Sequence, residues 1–387
     1  MSRLQSLAEA TGDFEGLTTD HEDFRRSLRS FLKRVSPESE VRRLMATESG
    51  FDPVLWRQLA DQLGLQGQTI PEQYGGSGYG YLELGVTLEE LGRAVVCAPF
   101  FATVVLAANA LMLVGDDSAN ADLLPGIASG ETVATVAVTE ESGSWQPSDL
   151  AMTAHPAGDG WTLRGTKAFV LDGLSASLIL VVAHTGGGLS LFAVDASAPG
   201  LTRRPMPTMD QTRKQAVLDF AGTPARLVGA PGGFEPLFDR WLDLAVVALA
   251  AEQAGGAQHC LELSVEYAKV REQFGRPIGS YQSIKHKCAD MLIQVESARA
   301  AAHYALEAAA TGSPQLPVIA SLAKAYCSEA YAFVAGETVH IHGGIGFTWE
   351  HPAHLYFKRA ASSELLFGDP DRHRDAFVRR IGLGSTH

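Results

Sequence analysis

At 387 residues the chain exceeds the size of a single hydrophobic core, so two or three packed units are expected. A composition of 46% hydrophobic and 19% charged residues is that of a globular protein, and a net charge of −13 argues against a nucleic-acid binder, which must neutralise phosphates. The four cysteines, Cys97, Cys260, Cys288 and Cys327, stand far apart without CxxC spacing, which fits buried free thiols in a reducing compartment and neither a disulfide framework nor a zinc site.

The N-terminal stretch MSRLQSLAEATGDF has no apolar segment and no small-residue cleavage signal, and no run of about 18 apolar residues occurs, so a cytoplasmic chain without membrane contact is expected. From DHEDFRRSLRSFLKRV through FFATVVLAANALMLVG, apolar residues recur at three and four, which predicts helices up to about residue 127, interrupted by the breaker cluster IPEQYGGSGYG. Between 128 and 228 the rhythm changes to TVATVAVTE, WTLRGTKAFVLDG, SLILVVAH, LSLFAVDAS and QAVLDFAG, short β-branched or aromatic runs separated by turn residues. Long alanine-rich helical patterns return from 229 to 387, with Ile284, Cys288, Met291, Leu292 and Val295 predicted to form one buried stripe. TWEHP has the look of a capped helix start, and the charged tail DPDRHRDAFVRRIGLGSTH that of a solvated last helix. The expected fold is α+β and multidomain: an N-terminal helical domain (1–127), a middle β barrel or sandwich (128–228) and a C-terminal four-helix bundle (229–387).

Four motifs, VAVTEESGSWQPSD (136–149), GTKAFVLDG (165–173), REQFGRPIGSYQ (271–282) and HIHGGIGFTWEHPAHLYFKRA (340–360), span most of the chain, and in this order they resemble the flavin-dependent acyl-CoA dehydrogenases. The resemblance implies α,β-desaturation of an acyl-CoA thioester, FAD as cofactor, and an electron-transfer flavoprotein or similar acceptor as partner. It also implies a flavin at a subunit interface, reached by the neighbouring chain's loop matching 271–282. Arg271 would then pair with the FAD diphosphate, because a guanidinium matches phosphate oxygens bidentately. Phe274 would pack on the cofactor and Gln282 hydrogen-bond it, with Gln273 and Ile278 in the same loop. Gly343 and Gly344 would admit the diphosphate close to the backbone, and His340 stands where the family usually has glutamine. On the chain's own flavin side the corresponding residues are Thr139, Phe169 and Leu171, and Asp243 matches an acid that contacts the CoA pantetheine.

The departures are as informative. The family's glutamate base corresponds here to Phe367, and its minority position to Ala245, followed by Val246 where many relatives have arginine. Glu364 lies three residues upstream of Phe367 and points away from a thioester. Glu141 replaces a proline, SGSWQPSD inserts bulk at Trp145, and Leu171 lacks the threonine hydroxyl that would reach the flavin N5. What the chain would lend to a neighbour is kept, and what it would need for itself is eroded. That asymmetry resembles the base-less chain of heteromeric (α2β2) acyl-CoA dehydrogenases, some of which act on steroid side-chain thioesters. Two alternatives remain: a self-sufficient homo-oligomeric dimer or tetramer with another acid, Asp369 being the nearest candidate, and a non-enzymatic interaction protein on the same scaffold. His342, His351 and His354 lack the carboxylate or cysteine that would complete a metal ligand set, so no metal is expected.

Overall fold

The computed structural model describes residues 17–158 and 160–383, so the reading of the N-terminal stretch lies outside the described residues. Helix α1 (Thr19–Val35) starts at a capping box: Thr18 N–H donates to His21 Nδ1 at 3.0 Å, and the Thr18 hydroxyl accepts the His21 N–H. Its apolar face, Leu28, Phe31 and Leu32, is buried. Then follow α2 (Glu38–Met45), α3 (Pro53–Asp61) and α4 (Tyr81–Arg93). The apolar run Phe101–Ala108 takes wider π turns, is buried all round, and continues into α5 (Asn109–Val114), with α6 (Asp117–Ala128) closing the helical region.

Seven strands come next: β1 (Ala134–Ala137), β2 (Thr153–Ala157), β3 (Gly160–Leu171), β4 (Leu178–Thr185), β5 (Gly188–Asp195), β6 (Leu201–Pro205) and β7 (Gln215–Val228). The pairings β4–β2, β2–β3, β3–β7, β7–β5 and β5–β4 form a closed circuit, so the sheet is a barrel, with β1 added to β4 in parallel and β6 added to β7. A bulge between Lys167 and Val170 of β3 puts Phe169 at φ +58°. Strands β2 and β6, TAHPA and LTRRP, escaped the sequence reading because each carries a proline and too few apolar residues to alternate.

The C-terminal helices are α7 (Glu235–Val270), α8 (Gln282–Ala310), α9 (Leu316–His342), α10 (Ala353–Leu365) and α11 (Pro370–Arg380). Helix α7 is buried along most of its first two-thirds and packs against α4, α8 and α9. It passes α4 so closely that a β-carbon on Gly255 would fall 1.9 Å from the Glu89 carbonyl oxygen. The predicted stripe on α8 holds for Met291 and Val295, with Ile284 and Cys288 half-buried, but Leu292 is 49% exposed, because it lies one residue, about 100° of helix, beyond Met291. Cys97, Cys260 and Cys327 are buried free thiols and Cys288 is half-buried. The last helix is less solvated than its charge predicts: Pro370 and His373 are buried, and Arg380 reaches back to Asp243 of α7.

Candidate functional site

Helix α7 ends at Val270, and the chain turns out of it at Arg271 while the Arg271 N–H still donates to the Tyr267 carbonyl at 2.9 Å. Gln273 pairs with Arg276 in a minimal hairpin whose tip, Phe274 and Gly275, takes φ values of +51° and +76°. The Ile278 N–H donates to the Arg271 carbonyl at 2.7 Å, closing the base of the hairpin. Tyr281 Oη donates to the Gln273 carbonyl at 2.9 Å, and the Arg276 guanidinium lies 4.1 Å over the Tyr281 ring. The result is a braced spur. Phe274 at its tip is 92% exposed, Gln282 at its foot is exposed, and Arg271 makes no ion pair among the described residues.

Beside the spur, α9 ends at His342 and Gly343 takes φ +62°. A β-carbon added to Gly343 or Gly344 would meet nothing within 4 Å, so this backbone is open to close approach from outside. His340 lies 3.0 Å from the Glu337 carboxylate, which also pairs with Lys287 of α8. Lys287 and His340 hold Glu337 below the usual carboxylate range in spite of its burial. The structure thus brings Arg271, Gln273, Phe274, Ile278 and Gln282 together on one spur.

The position expected to carry the base is closed. Phe367, 0% exposed and at φ +63°, stacks on Phe101 at 5.8 Å and receives the edge of Trp145 at 4.9 Å. Its turn is clamped from below: the buried Lys324 ammonium donates to the carbonyls of Ser363 and Glu364, each at 3.0 Å, and His373 Nε2 donates to the Phe367 carbonyl at 3.0 Å. Burial pushes Lys324 down to about 7 and His373 down to about 4. Ala245 and Val246 are sealed inside α7. Asp369 is the N-cap of α11, accepting the Arg372 N–H at 2.8 Å, which is the turn role and not that of a base. Asp243 is bound to Arg380 at 2.8 Å, and burial raises it to about 6, so its carboxylate is held by the last helix.

On the barrel side Thr139, Gly143, Trp145, Phe169 and Met209 line a cleft of about 360 Å³ with Leu365 and Leu366. The Thr139 hydroxyl donates to the Ala168 carbonyl at 2.7 Å. Glu140 accepts from the Met152 N–H and from Lys167, whose ammonium burial pushes down to about 8; both are structural ties between strands. Leu171 is 3% exposed and lines an interior space with Phe101, Asp172 and Arg213, while Phe169, within the bulge of β3, lines the cleft. Behind that space Arg359 bridges Asp210 at 3.0 Å and Glu252 at 2.9 Å, and Arg213 also pairs with Glu252. Sequence reasoning did not find this buried network, nor Phe101 as the partner of Phe367. The doubled aromatic in CAPFFATV was the available signal. Among the described residues no cluster of three or more His, Cys, Asp or Glu could hold a metal, and no helix is long and apolar enough to cross a membrane.

A helical region, a closed barrel and a helical bundle with an arginine spur beside a glycine turn are the frame of the flavin-dependent dehydrogenases. The chain belongs to the acyl-CoA dehydrogenase family of FAD-dependent oxidoreductases: the family's N-terminal domain matches residues 18–131, its middle domain 135–219 and its C-terminal domain 233–382. It is similar to acyl-CoA dehydrogenase IpdE2 of Mycolicibacterium smegmatis, 38% identical over 87% of this chain and 91% of that one. Among solved structures it resembles the ChsE4-ChsE5 complex from Mycobacterium tuberculosis, with a TM-score of 0.87 at 30% identity over 97% of this chain and 100% of the other. It also resembles a variant of the Tcur3481-Tcur3483 steroid ACAD, with a TM-score of 0.83 at 35% identity over 94% and 96%.

Proposed function

We propose that this chain is the companion subunit of a heteromeric acyl-CoA dehydrogenase: it completes the FAD site of a second, glutamate-bearing chain, and a bulky, steroid-derived acyl-CoA is the substrate class. The observation that carries this reading is the contrast between Phe367, fully enclosed by Phe101 and Trp145 at the base position, and the spur from Arg271 to Gln282, which projects Phe274 into solvent. Two similar solved structures carry the names of paired chains, and one of them is named a steroid ACAD. The division of the chain at about residues 127 and 228 belongs to the same proposal.

The outward residues fit the cofactor. Arg271 is a guanidinium free to grip a diphosphate, and the open backbone at Gly343 and Gly344 admits it where a side chain would intrude. Phe274 offers an apolar face and Gln282 a hydrogen-bond donor. FAD, when bound, supplies the hydride acceptor for the desaturation. This chain's share is to bind and orient, while the proton is removed by the partner's carboxylate. With Phe367 enclosed, Ala245 buried and Asp369 capping a helix, none of these three positions supplies that carboxylate.

The test is to purify the chain alone and together with a glutamate-bearing dehydrogenase-like chain, quantify flavin per chain, and add an acyl-CoA. Flavin and its reduction are expected only for the pair. A homo-oligomer with one flavin per chain that is promptly reduced overturns the proposal.

A further inference from the structure

Two of the histidines beside the glycine turn build a ring stack with Tyr267 at the common root of both outward segments. The Tyr267 and His342 rings lie 4.3 Å apart at 30°, and the His342 and His351 rings 4.2 Å apart at 40°. Each ring sits at a hinge. The Tyr267 carbonyl accepts the N–H of Arg271, His342 immediately precedes Gly343, and His351 Nδ1 accepts the Ala353 N–H at 3.2 Å where α10 begins.

The hydrogen bonds fix the protonation of both imidazoles. His342 Nδ1 lies 2.7 Å from the Thr338 carbonyl, which can only accept, so the proton is on Nδ1. Its Nε2 is buried without a partner among the described residues, and the residue is 3% exposed. The Ala353 N–H can only donate, so His351 Nδ1 carries a lone pair. A second proton on His342 would be buried unhydrated, and one on His351 would break the start of α10. The charged and titratable groups around them are Tyr267 of α7, Glu38 and Arg42 of α2, and His354 of α10, with Glu38 itself engaged by Arg42. Burial, reinforced at His351 by His342, holds both rings below the ordinary imidazole value of 6.5, His351 at about 4.

We propose that Tyr267, His342 and His351 are positioning residues: their stack sets the Arg271 spur and the Gly343 turn at the spacing needed to grip one anionic diphosphate, and it holds only while both imidazoles are neutral. This rests on the companion-subunit reading for the identity of the ligand. Because both rings are held below 6.5, the stack is intact above that pH and weakens as the pH falls from 6.5 toward 4.

The test uses the assembled complex, with FAD affinity read by flavin fluorescence from pH 8 to 4.5, and amide hydrogen exchange of 271–282 and 343–352 followed in parallel. Wild type is expected to keep its FAD affinity from pH 8 to 6.5 and to lose it progressively below that, down to pH 4.5. His342→Ala, which removes two ring contacts, is expected to bind roughly tenfold more weakly at every pH and to lose protection in both segments together. His342→Phe keeps a ring without a titrating group, so affinity at pH 7.5 returns to near wild type and the acid weakening flattens. The proposal is overturned if His342→Phe keeps the wild-type pH profile, or if His342→Ala leaves exchange in both segments unchanged. A wild-type complex that binds no FAD at pH 7.5 overturns the companion-subunit reading, and the exchange data then decide the stack independently.

Discussion

Restoring a carboxylate where Phe367 stands is expected to harm the fold before it helps catalysis. Phe367 is fully buried against Phe101 and Trp145. Replacing it with glutamate forfeits about 1.5 to 3 kcal/mol of ring burial. It also loses two aromatic contacts at about 0.5 to 1.5 kcal/mol each and leaves a carboxyl with no hydrogen-bond partner, at about 1 to 3 kcal/mol. These terms overlap, so a loss of about 3 to 6 kcal/mol is expected for Phe367→Glu. The cage pushes the new carboxyl's pKa up, so the folded variant holds its proton where the unfolded chain has released one. Stability therefore falls further as pH rises, by up to about 1.4 kcal/mol per pH unit within the shifted range. Denaturant unfolding at pH 5, 6.5 and 8 measures the loss and its slope, and flavin bleaching by an acyl-CoA measures turnover. A variant within about 1 kcal/mol of wild type at all three pH values, or one that reduces flavin without a partner chain, would refute the enclosed-plug argument.

Arg271→Ala is expected to weaken FAD retention in the assembled complex by about 1.5 to 3 kcal/mol while leaving the melting temperature of the isolated chain unchanged, because the side chain is exposed and makes no ion pair among the described residues; equilibrium dialysis of the complex and a thermal melt of the chain alone decide both halves. Arg380→Ala leaves Asp243 buried and unpaired, which should cost about 1 to 3 kcal/mol at pH 8. Asp243 is already raised to about 6, so at pH 5 it takes up a proton and most of that loss should disappear; a pH-independent loss in urea titrations would show that Arg380 acts by packing alone.

The alternation of helical and strand rhythm was legible in the sequence because it reflects burial on one face or two, which periodicity records directly. Strands β2 and β6 were not, since a five-residue segment with a proline has no period to read. The spur was legible because Arg271, Phe274 and Gly275 are locally unusual. The plug was half legible: a phenylalanine in the place of an acid is visible, but its partners Phe101 and Trp145 come from far along the chain, and only folding brings them together. The same holds for Asp243, whose fit to a CoA-contacting position says nothing of an arginine on the last helix that occupies it. Side chains that act outward are read from local sequence; side chains that answer one another across the core are not.

The two halves of the site stabilise different things, which supports the proposal that they serve different chains. The ring of Phe367 and the Arg359–Glu252–Arg213 network lie wholly inside this chain, so the free energy they contribute is folding free energy of this chain alone. Phe274, at 92% exposure, contributes nothing comparable to its own fold, and its φ of +51° carries a cost of about 1 to 3 kcal/mol. Holding an apolar ring in that conformation is favourable only when another surface covers it, which would return about 1.5 to 3 kcal/mol on full burial. A spur braced by Tyr281 and Arg276 keeps that ring presented in advance, so little ordering entropy is lost on docking. Phe274→Ala keeps the positive φ and loses only the edge contact with Tyr281 at 6.4 Å, so it should cost the isolated chain no more than about 0.5 to 1.5 kcal/mol and weaken chiefly the assembly that covers it.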